Sequence, residues 1–291
     1  MILISGATGH LGTSVVSHLI QKIGAAAFTA LARDEGKTKR LRESHVNVRI
    51  ADFDRPDTLG PALVGVKKLL LISTMAENRA EQHQNVIDAA KKAGVEHIFY
   101  TSLAIRSIDI SHVRGLMGSH FETEDYIKAS GLKYTILRNT MYAEAMPMIV
   151  GSGLIGSSIA LPGGDGRVPY VLRAELAEAA ANAISSAGHE NRIYNLVGSE
   201  SYGYSDVAAS LGKLQGTHLA YQKVGPDQFQ RHMADNHAST FEIYLTKGTL
   251  LDIRDHQYEV ESRDLQTLLG RASKNLSAMV AEAFAHTTNR K

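Results

Sequence analysis

The chain contains no cysteine. That excludes disulfides, zinc–thiolate centres and cysteine nucleophiles together, and it fits a reducing cytoplasm. No apolar run approaches the roughly 18 residues that a membrane-spanning helix needs. Met1-Ile2-Leu3 leads straight into a candidate strand, so neither a signal peptide nor a span is expected. Net charge is +1 with 21% charged residues, so the basic footprint of a nucleic-acid binder is missing. There is no Gly-x-Ser-x-Gly elbow to suggest a hydrolase. There is no His-Glu-x-x-His, and His120 with Glu124 offers only two ligands, so no metal site is expected. At 291 residues a sizeable core fits, as one extended α/β domain or as a domain with a lobe. What remains is a soluble cytoplasmic enzyme or sensor that meets a small molecule.

What is present begins at residue 6. Gly6-Ala7-Thr8-Gly9-His10-Leu11-Gly12 follows the apolar run Met1–Ile4 and precedes the helical pattern beginning at Thr13. A strand, a glycine-rich turn and a helix opening make a dinucleotide-binding element. Glycine lacks a Cβ, so the backbone turns tightly and approaches a pyrophosphate closely. The helix start offers unpaired N–H groups and partial positive charge to the phosphates. The spacing is G-x-x-G-x-x-G rather than the commoner G-x-G-x-x-G.

The first half alternates strand and helix patterns. Strands are expected at Ile2–Ser5, Ala27–Ala32, Val46–Ala51, Lys68–Ser73, His97–Ser102 and Lys133–Leu137. Helices are expected at Leu11–Lys22, Lys37–Glu43, Thr58–Val64, Arg79–Ala93 and Ser119–Ala129. Such alternation implies an α/β fold with a doubly wound parallel sheet, Rossmann-like, in strand order 3-2-1-4-5-6. Residues 1–150 would form the dinucleotide-binding domain and residues 151–291 a smaller α+β lobe that binds substrate. The strand near 193–197 is expected to return to the main sheet. A short hairpin is expected around Pro162-Gly163-Gly164-Asp165-Gly166, a helix at Glu175–Ser185, and fraying at Thr287–Lys291.

Ligands of open α/β sheets bind outside the carboxyl ends of the strands, which makes those ends the candidate site. After the second strand the chain reads Ala32-Arg33-Asp34. An arginine there suits the 2′-phosphate of NADP, by ion pairing and by stacking on adenine; Asp34 beside it leaves NAD open. Asp52 and Phe53 follow the third strand. Asp52 either accepts from the adenine amino group, with Phe53 beside the ring, or closes an Asx turn. Ser73 and Thr74, Thr101 and Ser102, and Asn139 end the next three strands and are candidate cofactor contacts.

A missing pair is equally informative. Many alcohol-linked short-chain dehydrogenases protonate a carbonyl oxygen with the tyrosine of Tyr-x-x-x-Lys. None of the eleven tyrosines here has lysine four residues later. An unactivated ketone would become a high-energy alkoxide with no acid nearby. A quinone becomes a far more stable hydroquinone anion, and a cationic dye simply loses its charge, so the absence favours those acceptors. His120 is the remaining polar candidate, as a catalytic, orienting or proton-relaying group; the alternative is a helix-surface histidine beside Glu124. Met141 and Tyr142, with Met146 and Met148, either wall an apolar acceptor site or pack in the core.

Four stretches carry a resemblance: Ile4–Gly12, Gly94–Ser102, Gly131–Asn139 and Gly188–Leu196. On these the chain resembles the NmrA-like atypical short-chain dehydrogenases, over about residues 1 to 285. Within that family it is most similar to bacterial NAD(P)H:quinone oxidoreductases of type 2 and to triphenylmethane reductases. The resemblance implies hydride transfer from NADPH, preferred over NADH, to a quinone or a triphenylmethane dye without the tyrosine–lysine pair. His120 falls where isoflavone-reductase-like relatives carry a catalytic lysine, which argues against that branch. His10 replaces a common glutamine. The family also contains NAD(P)-binding redox sensors that regulate a partner without catalysis, and that reading stays open, as does a homodimer.

Overall fold

The computed structural model describes residues 1–285; the segment Thr287–Lys291 lies outside them. The main-sheet half runs β1 (Ile2–Ile4), α1 (His10–Ile23), β2 (Phe28–Ala32), α2 (Lys39–Glu43), β3 (Asn47–Ile50), α3 (Pro56–Leu63), β4 (Lys68–Leu71), α4 (Arg79–Lys92), β5 (His97–Leu103), α5 (Arg114–Ala129) and β6 (Lys133–Asn139). There follow α6 (Met146–Ser152), β7 (Leu154–Ile155), β8 (Ser158–Leu161), α7 (Arg173–Ile184), β9 (Arg192–Leu196), α8 (Tyr204–Gln215) and β10 (Ala220–Lys223). The chain then adds α9 (Pro226–Asp235), α10 (Thr240–Arg254), α11 (Asp264–Leu269) and α12 (Leu276–Ala285).

Side-chain alternation in the strands builds two cores on one sheet. Leu3, Leu69, Leu71, Ile98 and Tyr100 face α3, α4 and α5. Ile4, Leu70 and Phe99 face α1 and α7 on the other side. The sheet has seven parallel strands in the order β3-β2-β1-β4-β5-β6-β9. That is the expected order, and β9 returns to pair with β6 from Thr135↔Arg192 to Asn139↔Leu196. The order reverses between β1 and β4, so a crevice opens beyond their carboxyl ends.

A third core joins the later elements. Met146, Leu161, Tyr170, Tyr204, Phe229 and Met279 pack among α6, α8, α9, α10 and α12, over a small sheet in the order β10-β8-β7. The lobe's hairpin is not at residues 162–166. It joins β7 to β8, which pair antiparallel from Leu154↔Ile159 to Ile155↔Ser158. The glycines at 163–166 serve close packing instead: a Cβ on Gly166 would stand 1.7 Å from the Ile253 carbonyl oxygen.

Two further boundaries differ from expectation. Helix α5 starts at Arg114 rather than Ser119, because buried Asp252 of α10 accepts from the His112 amide and the Ser111 hydroxyl and fixes the entry. Helix α7 packs against α1 on the main sheet, although it follows residue 150. Among the described residues no helix is long and apolar enough to cross a membrane.

Candidate active site

The glycine turn comes first. Gly6 leaves β1 at φ +60°, and its carbonyl accepts from the Gly9 amide at 3.0 Å. A Cβ on Gly12 would stand 2.1 Å from that same oxygen and 2.9 Å from the Ala7 Cα. Only glycine lets α1 cross the end of β1 this closely. The N-cap is Gly9, with no side-chain cap and no acidic residue in the first turn. The first N–H groups of α1 are therefore left for a ligand. An anionic pyrophosphate fits this cradle.

From the turn a cleft of about 780 Å³ runs along the strand ends to the lobe. Gly6, Thr8, Gly9, His10, Leu11 and Gly12 line one end. Ala7 does not; it is buried in the core beneath. Arg33, Asp52 and Phe53 line the wall beyond β2 and β3. Asp34 is not on that wall, and its carboxylate accepts from the Gly36 amide at 2.8 Å. Asp52 closes an Asx turn by accepting from the Asp54 amide, and it still borders the cleft.

Ser73, Thr74, Ser102 and Asn139 reach the cleft at the centre of the sheet. Thr101 does not: it is buried, accepting from the Ser73 amide at 2.9 Å. Met141 and Tyr142 border the lobe side, where the Arg173 guanidinium lies 4.8 Å over the Tyr142 ring. Met148 also lines this end, whereas Met146 is wholly buried in the lobe core.

His120 is not a surface histidine. It is 7% exposed, borders the cleft, and holds Nδ1 2.9 Å from the Tyr100 hydroxyl. Glu124 is engaged elsewhere. Arg138 donates to both its oxygens, at 2.8 and 2.6 Å, and the Ser102 hydroxyl donates at 2.6 Å. Burial, and then the charge of Arg79, drive the His120 imidazole well below its usual range. The same two causes push His83 down to about 3. Burial raises the Tyr100 hydroxyl.

Several wall residues were not anticipated. Gln82 borders the cleft, accepting from the Thr74 hydroxyl and donating to Asp54. Arg79 is fully buried behind it, donating to the Thr74 and Leu116 carbonyls and to Ser119. A signal existed: Arg79, Gln82 and His83 continue the helical spacing of Val86, Ile87 and Ala90 toward the site. Met75 and Met117 line the cleft, as do Leu245, Thr249 and Tyr258 from the lobe. The last three join the site only through tertiary packing, and no local pattern marks them.

A family model described as NAD(P)H-binding matches residues 6–187. Quinone oxidoreductase 2 of Escherichia coli (strain K12) is 36% identical, over 98% of this chain and 99% of that protein. The crystal structure of an NADPH-dependent quinone oxidoreductase from Escherichia coli, complexed with NADPH, superposes with a TM-score of 0.91 at 35% identity. It covers 98% of this chain and 100% of that one. Citrobacter sp. triphenylmethane reductase, complexed with NADP(H), gives 0.89 at 33% identity over 97% and 100%. An NmrA-like oxidoreductase of Aspergillus flavus is 33% identical over 78% of this chain and 75% of that protein. The glycine cradle, the strand order and these matches agree: the chain belongs to the NAD(P)H-binding family, on a Rossmann-like α/β fold.

Proposed function

We propose that the chain is an NADPH-dependent reductase whose acceptor is a quinone or a similarly flat conjugated molecule, such as a triphenylmethane dye. The observation that carries this reading is the continuity of one cleft, from an uncapped helix start to a methionine-lined end under the lobe. The similarity to a quinone oxidoreductase and a triphenylmethane reductase supports it.

In this reading Gly6, Thr8, Gly9 and Gly12 seat the pyrophosphate, with His10 and Leu11 contributing backbone amides. Arg33 pairs with the 2′-phosphate, and Asp52 and Phe53 meet the adenine. Ser73, Thr74, Ser102 and Asn139 border the ribose and nicotinamide end. Ala7 and Thr101 shape the site from behind it. Met75, Met117, Met141 and Met148, with Tyr142, form an adaptable apolar wall for the acceptor. His120 meets the acceptor. The lobe within residues 151–291 contributes Tyr258, Leu245 and Thr249, and with them part of the choice of acceptor.

NADPH, when bound, supplies the hydride; the protein supplies position and a dry, shaped cleft. The test is NADPH oxidation with a panel of quinones and cationic dyes, beside a direct NADPH-binding titration. Turnover with a flat acceptor is expected. Tight binding with no turnover on any acceptor would instead identify a redox sensor, and no binding at all would remove both readings.

A further inference from the structure

His120 enters the cleft with one ring nitrogen already engaged. Nδ1 faces the Tyr100 hydroxyl at 2.9 Å. Nε2 makes no hydrogen bond among the described residues, and it is not among the sealed polar atoms left without a partner. Since the ring borders the cleft, Nε2 is the nitrogen turned to it. Behind the pair lies an unusual charge. Arg79 is 0% exposed and its guanidinium donates to two carbonyls, one hydroxyl and the Met75 sulfur. Among the described residues no carboxylate forms an ion pair with it. A buried cation without a counterion is expensive to fold, so its position calls for a reason.

We infer that Tyr100 is a positioning residue that donates to Nδ1 and so holds His120 as the Nε2–H tautomer, aimed at an acceptor oxygen on which negative charge develops. Arg79 adds a fixed positive potential at the same place. The inference rests on the quinone-reductase reading above and deepens it.

A quinone takes up one hydride, two electrons with one hydrogen, and becomes a hydroxyl with one oxyanion, while NADPH is oxidised to NADP+. The oxyanion takes its proton from water on release. Neither Tyr100 nor His120 has to ionise. Burial holds the tyrosine protonated, and burial with Arg79 holds the imidazole neutral. A neutral imidazole that stays put is a preorganised donor, which stabilises a developing charge without reorganising. Thr123 also faces the Tyr100 hydroxyl, but its proton goes to the Ser119 carbonyl and its oxygen takes the His83 Nδ1–H, since His83 Nε2 accepts from the Thr74 amide. His83 is neutral and bonded to Thr123, and Glu124 is neutralised by Arg138. A cationic dye develops no oxyanion when it accepts hydride, so it has no use for the donor.

Two readouts test this. The first needs no turnover: 15N NMR of the histidine imidazoles in cofactor-free protein. His120 is expected as neutral Nε2–H in the wild type, and as a tautomer mixture in Tyr100→Phe. A wild-type Nδ1–H tautomer, or an imidazolium near neutral pH, overturns the inference. The second compares acceptors, with NADPH binding measured to certify each variant's fold. His120→Leu is expected to lower the ratio of quinone kcat to dye kcat by roughly a hundredfold, the scale of a lost oxyanion donor. Tyr100→Phe should lower it by about tenfold or less, the scale of one hydrogen bond. His120→Gln, which keeps a donor, should recover part of the ratio. Equal losses on both acceptors would make His120 and Tyr100 structural only. Failure of every acceptor would remove the quinone-reductase reading, while the NMR would still decide the tautomer.

Discussion

Gly12 passes so close to Gly6 that a Cβ would stand 2.1 Å from the Gly6 carbonyl oxygen. Both atoms belong to backbone, so relief requires α1 to move off β1. Gly12→Ala should destabilise by about 1–3 kcal/mol, the usual scale of overpacking. It should also weaken NADPH at least tenfold, because the displaced amides no longer converge. Gly9→Ala makes a control, since its Cβ would meet the same oxygen at 3.3 Å. Thermal melts and fluorescence titrations read both. Similar behaviour of the two variants would show that the crossing is not what limits binding.

Arg33 lies on the cleft wall beyond β2, while Asp34 is occupied by the Gly36 amide. The basic side chain is therefore the one available to a 2′-phosphate. Arg33→Ser should weaken NADPH by roughly ten- to a hundredfold, the range of a charge-assisted hydrogen bond. NADH should change little. The check is a pair of Kd values for each protein, and an equal loss for both nucleotides would remove the phosphate assignment.

The parts legible in the sequence were those written in local pattern. Short apolar runs such as Leu69–Leu71, and the glycine spacing from Gly6 to Gly12, mark their elements without help from elsewhere. The parallel order follows from strand–helix alternation. His120 was visible as a candidate but not its environment, because Tyr100 lies on another element and Glu124 is drawn away by Arg138. The glycines at 163–166 do not locate the hairpin, because glycine marks both turns and close approaches. Gly166 is needed against Ile253, 87 residues further on, and only the folded chain shows that. Nothing local marks the burial of Arg79, because a basic residue at a helix start ordinarily faces water.

Glu124, 0% exposed and one helical turn from His120, is ion-paired to Arg138 at 2.6 Å. Removing one partner strands the other's charge. Arg138→Met should destabilise by about 3 kcal/mol, the lower end for a broken buried pair, since Lys128 remains 3.7 Å from the carboxylate. Adding Glu124→Gln to it should restore at least half of the loss, because no buried charge is then left. Urea denaturation of the two single variants and the double decides the point. Additive losses would mean that the pair is not coupled.

Acid should unfold this protein earlier than its exposed carboxylates alone would. His83 has a folded pKa of about 3 and His97 of about 4, against 6.5 for a free histidine, with burial the first cause in both. Below 6.5 the unfolded chain binds protons at these positions and the folded chain does not. Stability is therefore complete above pH 6.5 and falls as pH drops toward the folded values. At pH 5 the loss from His83 is roughly 2 kcal/mol, at 1.36 kcal/mol per unit over about 1.5 units. Urea midpoints at pH 7, 6 and 5 should decline steadily, and His83→Asn should flatten the decline, since asparagine keeps a polar partner for Thr123 without a titrating group. A wild-type midpoint constant across that range would mean that the ring protonates in place. Arg79 beside it would then have to be far better screened than its complete burial implies.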